Sequence, residues 1–422
     1  MRFATAPADT APKSKHALAA LGLGAFVIGT AELVVVGILN LIAASQHVSV
    51  SSAGLLVTSY ALGIAIGAPL MTALTIRVDR RLLLCVALAT FLLGNLLAAF
   101  ATAFGVLLVA RVLTGTIHGL FIGVACAVAA ALVPPERRGQ AVSMIFGGIA
   151  VSTVLGVPLG TLIGQAMGWQ AAFAGIVGLS AVALAATLVF VPTVEGSGSG
   201  TLASQSRHAF APRVLAMLGV GLLLMGGQFT AFTYLTPFTE QVTAIPVGAV
   251  SVFLLIFGVS SAVGTFGGGK LADRNASATL LAGNVILVLT LGLLYLVGGN
   301  AVMVALALVA WGLVGFGVIP SLQLRVITLA GTGGDLAATL GASAVNAGIA
   351  AGAVLGGWVL SGHGVRAVPL AAVIVCAVAL PATWATRWLK VPPAPAEPII
   401  DRAEPIIDRD AAPQASPLTT AG

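Results

Sequence analysis

Long apolar runs make up most of the chain, and short polar or turn-forming stretches separate them. Most runs reach the roughly 20 apolar residues that an α-helix needs to cross a bilayer, and they exceed the roughly 9–11 residues of a barrel strand. They also lack the two-residue alternation of barrel strands. The pattern predicts twelve membrane-spanning helices, called spans 1 to 12 below: 17–41, 53–76, 82–104, 105–132, 141–165, 171–191, 213–236, 247–269, 278–298, 301–324, 337–360 and 366–388.

Composition supports a membrane protein and excludes other classes. Hydrophobic residues make up 59% of the 422 residues and charged residues 8%. A soluble domain carries about 25% charged residues, and a disordered chain is poor in hydrophobic ones. The cysteines Cys85, Cys126 and Cys376 lie far apart inside apolar runs, so we expect reduced packing residues and no metal site. The predicted fold class is an all-α integral membrane protein.

A flexible linker divides the predicted helices into two sets of six. Residues 192–212 contain the run Gly-Ser-Gly-Ser-Gly, which is typical of a solvated linker. The sequence therefore predicts an N-terminal tail at 1–16, a first six-helix bundle at 17–191, the linker, a second bundle at 213–390, and a disordered tail at 391–422 in which a duplicated seven-residue segment is given no function.

The basic residues fall on one side of the predicted bundle. With twelve spans and the amino terminus inside, 17 of the 19 lysines and arginines lie on the side of the chain termini, whereas Arg366 lies on the far side and Arg111 within span 4. Because cytoplasmic loops carry an excess of Lys and Arg, both termini are predicted to be cytoplasmic. The formal net charge of +6 then reflects loops that face anionic lipid headgroups, and no nucleic-acid partner is expected.

Small residues recur at every fourth position in four of the spans, which lets helix backbones approach closely. The same spacing in spans 2 and 8, and again in spans 5 and 11, indicates a duplicated six-helix unit. Internal repeats with a site at their interface are the architecture of secondary transporters. The residues are Ser59, Gly63 and Gly67; Ser260, Gly264 and Gly268; Gly148, Ser152, Gly156, Gly160 and Gly164; and Gly348, Gly352 and Gly356.

Glu32 is the one acidic residue well inside a predicted span, and a charge at the bilayer centre costs about 2.5–3.5 kcal/mol on insertion scales. It is interpreted as a proton-coupling carboxylate or as a hydrogen-bonded structural glutamate. Arg111 is predicted to be its partner, because span 4 runs antiparallel to span 1 and places both residues on the outer half of the membrane. His118 lies seven residues after Arg111, on the same helix face, and is a candidate proton relay or a hydrogen-bonded core group.

Other polar residues and one proline stand at membrane depth. Span 5 contains Gly156, Pro158 and Gly160, and a proline between glycines predicts a kink on which the halves could rock. The remaining polar residues are predicted either to line a substrate path or to bond neighbouring helices. They are Tyr60, Asn95, Gln228, Asn284, Gln323 and Asn346.

Two loops resemble the cytoplasmic signature of the major facilitator superfamily. The loop after span 8 reads Gly269-Lys270-Leu271-Ala272-Asp273-Arg274, close to the superfamily pattern Gly-x-Leu-Ala-Asp-Arg. The loop after span 2 is a degraded copy with Ile76 where the superfamily has an acid, and Asp79 is the acid that could compensate. The resemblance implies cytoplasmic gating loops formed by Arg77, Asp79, Arg80, Arg81, Gly269, Asp273 and Arg274.

More specific motifs resemble the twelve-span drug:proton antiporters. They are the segment 29–37 in span 1, the segment 110–115 in span 4 and the glycine-proline stretch of span 5, which are similar to the chloramphenicol-resistance, arabinose-efflux and purine-nucleoside-efflux branch. The resemblance implies proton-driven export by alternating access in the bacterial inner membrane, with Glu32 as proton acceptor, Arg111 as its modulator and span 5 as the antiport helix. An amphipathic drug, a sugar or a purine nucleoside stays open as the substrate, and uptake is the less favoured direction.

Several other functions lack their sequence features. The chain contains neither a His-Glu-x-x-His pair nor paired intramembrane aspartates, which argues against an enzyme, and no Walker-type loop, which argues against ATP as the energy source. A channel filter segment is not evident. We therefore expect the proton gradient as energy source, no cofactor, a small molecule, protons and membrane lipid as partners, and a monomer.

Overall fold

A computed structural model describes residues 11–75, 78–134, 137–194, 207–331 and 334–390, and these residues form helices and connecting turns without a β-strand. The predicted all-α membrane fold is confirmed. Spans 1 to 6 are Ala11–Ser45; Val50–Leu62 with Gly63–Gly67 and Ala68–Leu74; Arg80–Ala99; Phe104–Ala131; Arg138–Val151 with Ser152–Gly156 and Val157–Met167; and Trp169–Phe190. Spans 7 to 12 are Pro212–Phe232 with Leu235–Gln241; Val250–Val297, which holds spans 8 and 9; Ala301–Ala330; Gly334–His363; and Val368–Ala385.

Eleven helices of the described residues are long and apolar enough to cross a membrane, and one of them carries two predicted spans. Val247–Val297 is 51 residues long, whereas about 20 residues suffice for one crossing. Its backbone leaves the helical region at Asn275, with φ −160° and ψ 90°. The break lies between the predicted end of span 8 at residue 269 and the predicted start of span 9 at residue 278, so the structure accommodates twelve spans.

Two spans contain a widened π-helical turn, and each turn is followed two residues later by a proline. Gly63–Gly67 precedes Pro69, and Ser152–Gly156 precedes Pro158. A proline has no N–H, so it cannot bond the carbonyl four residues earlier, and its ring crowds that carbonyl. A π-turn relieves the crowding. The interruption predicted at Pro158 takes this form, whereas the one at Pro69 was not predicted.

Span 5 packs along span 1 in the same way as span 11 packs along span 7. A Cβ at Gly156 would lie 2.0 Å from the hydroxyl of Thr30, and a Cβ at Gly356 would lie 2.3 Å from the carbonyl of Thr230. These distances leave no room for a side chain at either glycine: the backbone at Gly156 packs on the side chain of Thr30, and the backbone at Gly356 packs on the backbone at Thr230. The second contact repeats the first 200 residues later on both helices, since 356 − 156 and 230 − 30 are both 200.

Spans 2 and 4 repeat their packing in spans 8 and 10. A Cβ at Gly63 would lie 2.5 Å from the carbonyl of Val112, and a Cβ at Gly264 would lie 2.1 Å from the carbonyl of Leu313. Here the offset is 201 residues on both helices. The small-residue stripes therefore define two bundles of matching architecture, with residue-by-residue equivalence between them.

Several side-chain hydrogen bonds join the two bundles toward one end of the molecule. Across the interface, the Thr236 hydroxyl donates to the carbonyl of Val36 (2.7 Å), the Asn40 amide donates to the carboxylate of Glu240, and the Ser51 hydroxyl donates to a carbonyl of span 11 (2.7 Å). We call this end the closed side. The other end, where Arg80, Arg213 and Lys390 lie, is called the basic side, and there the bundles flank a cavity.

Candidate functional site

Arg111 holds spans 1 and 2 together from its position in span 4. It is 1% exposed, and its guanidinium donates three hydrogen bonds to main-chain carbonyls: to Ala31 (2.7 Å), to Glu32 (3.0 Å) and to Leu56 (3.2 Å). The carbon of the guanidinium lies 3.9 Å from the centre of the Tyr60 ring. A buried arginine needs acceptors for its fixed fork of donors, and two neighbouring helix carbonyls of span 1 match that fork.

The predicted pairing of Arg111 with Glu32 takes a different form from the one expected. The guanidinium bonds the main-chain carbonyl of Glu32, while no ion pair within 4.0 Å joins it to the carboxylate among the described residues. The guanidinium donors of Arg111 are already used by main-chain carbonyls. The guanidinium can therefore keep its place whether the carboxylate is charged or neutral.

The carboxylate of Glu32 points instead toward His118. Its Oε2 lies 3.8 Å from Nδ1 of His118, and the hydroxyl of Tyr60 lies 3.1 Å from the same nitrogen. The side chain of His118 is 9% exposed and that of Glu32 21%. The phenol and the imidazole are within hydrogen-bond distance of each other, whereas the 3.8 Å between the carboxylate and the imidazole is longer than a direct hydrogen bond. We call Glu32, Tyr60, Arg111 and His118 the polar cluster.

A cavity of about 520 Å³ opens on the basic side and ends at the polar cluster. Span 4 lines one wall with His118, Ile122 and Cys126, and span 11 lines the facing wall with Ser343 and Asn346. The other lining residues are mostly apolar, and Thr75, Val78 and Arg80 stand at its mouth. His118 belongs both to the cavity wall and to the polar cluster. A molecule bound in this cavity would therefore lie against His118, whose imidazole is 3.8 Å from the carboxylate of Glu32.

Two of the six predicted substrate-binding candidates lie at this site. Asn346 lines the cavity and is 9% exposed; its amide nitrogen donates to the carbonyl of Ala342 (2.9 Å). Its oxygen is buried and has no hydrogen-bond partner among the described residues. Tyr60 belongs to the polar cluster. Asn346 thus has an unpaired acceptor beside the cavity, and its side chain would have to turn to present that oxygen to a bound molecule.

The other four candidates bond helices and do not line this cavity. Asn95 donates to the carbonyl of Phe91 in its own helix (2.8 Å), and Gln323 donates to Ala338 of span 11 (3.1 Å). The remaining two act between spans of the second bundle. Gln228 accepts from the indole of Trp311 (3.2 Å) and donates to the carbonyl of Gly315 (3.2 Å), and Asn284 donates to Thr383 (3.1 Å).

Asp79, the acid that could compensate for the one missing from the first signature loop, lies at the start of span 3. Its carboxylate accepts from the main-chain N–H of Leu82 (2.9 Å) and so caps span 3. Asn275 caps the start of span 9 in the same way, through the N–H of Ala278 (3.0 Å). Asp79 thus corresponds to Asn275, whereas Asp273 lies two residues earlier in its loop.

The other signature residues take different places. Arg81 donates to the carbonyl of Leu188 near the end of span 6 (2.5 Å), and the main-chain N–H of Arg80 bonds Val194 (3.2 Å). Asp273 and Arg274 are exposed on the helix surface, and a Cβ at Gly269 would meet nothing within 4 Å. Arg77 lies outside the described residues.

The π-turn of span 5 lies between span 1 and the second bundle. On one side Gly156 contacts Thr30, two residues before Glu32; on the other, a Cβ at Gly258 of span 8 would lie 2.1 Å from the carbonyl of Thr153. Gly160 continues the contact along span 1 against Val34. Span 5 therefore touches the helix that carries the carboxylate and the opposite bundle at the same level.

Sequence reasoning missed the contact between Asn40 and Glu240. Glu240 lies beyond residue 236, where span 7 was predicted to end, and it was therefore not treated as a membrane residue. The structure continues this span through Leu235–Gln241 and brings the carboxylate to span 1. The 200-residue separation of the partners is the one signal that could have paired them.

This fold and site define a polytopic helical membrane transporter. The Major Facilitator Superfamily model matches residues 21–342, and the chain belongs to that superfamily. It is 38% identical over 346 residues, 81% of this chain and 87% of the relative, to the Bacillus subtilis protein called uncharacterized MFS-type transporter YtbD. It is 35% identical over 369 residues, 87% of this chain and 95% of the relative, to the Escherichia coli inner membrane transport protein YdhP. The chain is thus a membrane transporter and not an enzyme.

Solved structures share the fold at low sequence identity. A bacterial homologue of the human lysosomal transporter Spinster, in an inward-facing and occupied conformation, superimposes with a TM-score of 0.73 at 14% identity, covering 90% of this chain and 98% of the other. The human organic anion transporter MFSD10 gives a TM-score of 0.65 at 16% identity, covering 88% and 99%. At these identities the likeness concerns the fold alone.

Proposed function

We propose that the chain is a proton-coupled secondary exporter of small amphipathic compounds, acting in a bacterial inner membrane. The observation that carries the proposal is the double position of His118, which lines the cavity and lies 3.8 Å from the carboxylate of Glu32. With both termini in the cytoplasm, the basic side is cytoplasmic. The cavity then receives substrate from the cytoplasm, while the closed side faces outward.

Coupling follows because the substrate and the proton bind in the same region, around His118 and Glu32. A substrate next to His118 changes the surroundings of the Glu32 carboxylate and favours loss of its proton to the cytoplasm. When the cavity opens outward, the carboxylate takes up a proton from outside and the substrate leaves. Arg111 supplies a fixed positive charge to the deprotonated state, and its carbonyl bonds hold it in place through both states.

The cavity favours an amphipathic molecule of drug size. Its volume of about 520 Å³ falls within the roughly 300–1,000 Å³ typical of small-molecule sites. Its walls are mainly apolar, and the buried, unpaired oxygen of Asn346 can accept one hydrogen bond from the substrate once the side chain turns toward the cavity. The lining residues contain no carboxylate, so attraction of a cation would depend on Glu32 at the cavity's end.

Coupling is tested in liposomes that carry a pH gradient and an internal pH dye. Chloramphenicol, a cationic dye, arabinose and inosine are added in turn to the wild type, Glu32→Gln and Glu240→Gln. We expect substrate-evoked proton movement by the wild type and by Glu240→Gln, which makes the same chemical change outside the cavity, and none by Glu32→Gln. Glu32→Gln should still exchange labelled substrate for unlabelled substrate, which excludes misfolding.

The outcomes separate the parts of the proposal. Uphill efflux by Glu32→Gln at the wild-type level would remove the proton role of Glu32. A response to arabinose or inosine alone would assign a polar metabolite as the substrate. Silence for all four compounds would argue against drug export.

Cys126 provides an independent probe of the cavity. It lines the cavity, while Cys376 is buried against Gly227 of span 7. We expect a small maleimide to label Cys126 from the cytoplasmic side and a bound substrate to slow the reaction, with Cys126→Ser as the blank. Labelling that a transported compound leaves unchanged would place its binding site elsewhere.

A further inference from the structure

A second cavity lies on the surface of the second bundle, away from the polar cluster. It has a volume of about 610 Å³ and lies on the basic side, between the start of span 9 and the end of span 12. Its lining begins with Asn275 and Ser277 at the edge of the membrane and continues along Leu281 and Ile286 into the apolar zone. Arg387 closes the groove on the basic side. We call it the interface groove.

The groove lies on the basic side of a hydrogen bond that joins spans 9 and 12. Asn284 bonds Thr383 (3.1 Å), and on the basic side of that bond span 9 presents Ala278 and Ala282, which are small and exposed. The apolar wall continues with Val285 and Ile286, which are 41% and 43% exposed. In a membrane this wall faces lipid, so an acyl chain is the natural occupant of its lower part.

Arg387 is an uncompensated positive charge at the head of this groove. It is exposed and makes neither a hydrogen bond nor an ion pair with any described residue; its guanidinium lies 5.4 Å from the ring of Trp388. Lys390, three residues after Arg387, and Arg274, next to the lining residue Asn275, are also exposed, and Asp273 is the exposed carboxylate beside Arg274. The local charge is thus positive, which suits an anionic headgroup.

Two tryptophans mark the depth of the groove. Trp384 and Trp388 contact each other edge to face, with ring centres 4.1 Å apart, and they are 48% and 56% exposed. Exposed tryptophans gather at the level of lipid headgroups, because one part of the ring is apolar and its N–H is wet. Arg387 therefore stands at headgroup level with the apolar wall beneath it.

We infer that the interface groove binds an anionic phospholipid, with its phosphate on Arg387 and one acyl chain along Leu281, Val285 and Ile286. The groove does not depend on the proposed export function, since it shares no residue with the transport cavity. The lipid would tie spans 9 and 12 together at the end of the second bundle. A neutral lipid would fill the apolar wall equally well but would leave the guanidinium unpaired.

Tryptophan quenching by brominated lipids tests the inference on the full-length protein in liposomes. Trp358 is exposed at the opposite end and is changed to Phe, which leaves Trp384 and Trp388 as the exposed tryptophans, because Trp169 and Trp311 are buried. Brominated phosphatidylglycerol and brominated phosphatidylcholine are compared at equal low mole fractions. We expect the anionic lipid to be enriched at these rings about fivefold, which is the effect of one basic residue at an anionic headgroup.

Charge variants separate specific binding from general contact with lipid. Arg387→Gln should remove the preference for the anionic lipid, Arg387→Lys should keep most of it, and Arg366→Gln, on the far side of the membrane, should leave it unchanged. The preference should also fall in high salt, which needs no variant. Equal quenching by both lipids, or a preference that survives Arg387→Gln, would overturn the inference.

Discussion

The two bundles share their packing but place different chemistry at equivalent positions. The offsets of 200 residues for spans 1 and 7, and of 201 residues for spans 2, 4, 8 and 10, follow from the glycine contacts. They assign to Glu32, Tyr60, Arg111 and His118 the counterparts Phe232, Ser261, Gly312 and Ile319. The first bundle thus holds ionisable groups where the second holds none.

The second bundle fills that region with aromatic rings. Phe232 stacks on Phe257 with centres 4.7 Å apart, and Trp311 meets Phe257 edge to face at 5.4 Å. Phe316 extends the cluster at 6.1 Å from Phe257. One scaffold therefore supports either a charged cluster or an apolar one. The equivalent packing in the second bundle is thus built without ionisable groups at these positions.

The bundles meet along spans 1 and 7, where residues of span 1 contact their equivalents in the other bundle. Val36 contacts Thr236, and Asn40 contacts Glu240, each pair separated by 200 residues. Such pairs lie on the axis that relates the bundles. Val36 follows Glu32 by one helical turn, so the carboxylate lies one turn from the contact that closes the molecule. Span 1 thus connects the polar cluster to the closed side.

The largest expected effect comes from removing Arg111. Arg111→Ala should destabilise the protein by about 3 kcal/mol, because it leaves a large cavity and frees three carbonyl contacts between spans. Arg81→Ala removes one exposed arginine with a single carbonyl contact and should cost below about 1 kcal/mol. Thermal unfolding in detergent measures both. Equal losses would mean that the first bundle, like the second with Gly312, does not need a side chain there.

The next largest loss of stability is expected where a glycine that packs against a neighbouring helix is replaced by alanine. A Cβ at Gly115 would lie 2.1 Å from the carbonyl of Tyr60, whereas a Cβ at Gly123 would meet nothing within 4 Å. Gly115→Ala should therefore cost about 1–3 kcal/mol by pushing span 2 from span 4, and Gly123→Ala should be neutral or slightly stabilising. The same unfolding assay decides. If both variants unfold like the wild type, the close approach of spans 2 and 4 is not required.

Gln228 tests whether the polar residue of the second bundle acts in transport. Gln228→Leu removes the acceptor of the Trp311 indole and should cost about 1 kcal/mol, near the average for hydrogen bonds between membrane helices. Because its partners lie within the second bundle, the ratio of protons to substrate should stay at the wild-type value. That ratio is read in the liposome assay, and a changed ratio would extend the coupling site to the second bundle.

The smallest effect is expected on the closed side. Asn40→Ala removes one hydrogen bond between the bundles and should cost about 0.6 kcal/mol, which lowers the cytoplasm-open population relative to the outward-open one by about threefold. Asn95→Ala, whose amide bonds its own helix, is the matched control. The maleimide reaction of Cys126 reports the population. A rate that falls equally in both variants would show that Asn40 does not secure the closed side.

Local patterns predicted what depends on neighbouring residues along one helix. The apolar runs predicted the spans, and the small-residue stripes predicted close backbone approach in spans 2, 5, 8 and 11, whereas the partner helices became known from the structure. The seven-residue spacing of Arg111 and His118 predicted a shared face. Asp79 and Asn275 were harder to read, because a cap is defined by the N–H three residues later, which a comparison of signature letters does not reveal.

The sequence by itself determined the membrane class, because hydropathy is a property of consecutive residues within single helices, and its loop motifs resemble those of the superfamily to which the chain belongs. The tertiary structure alone decided that Arg111 bonds carbonyls and that the carboxylate of Glu32 turns to His118. It also decided that Asn346 reaches the cavity while Gln228 and Asn284 do not. These outcomes depend on helix rotation and on which acceptor lies nearest in space, and both are set by packing between segments far apart in the chain.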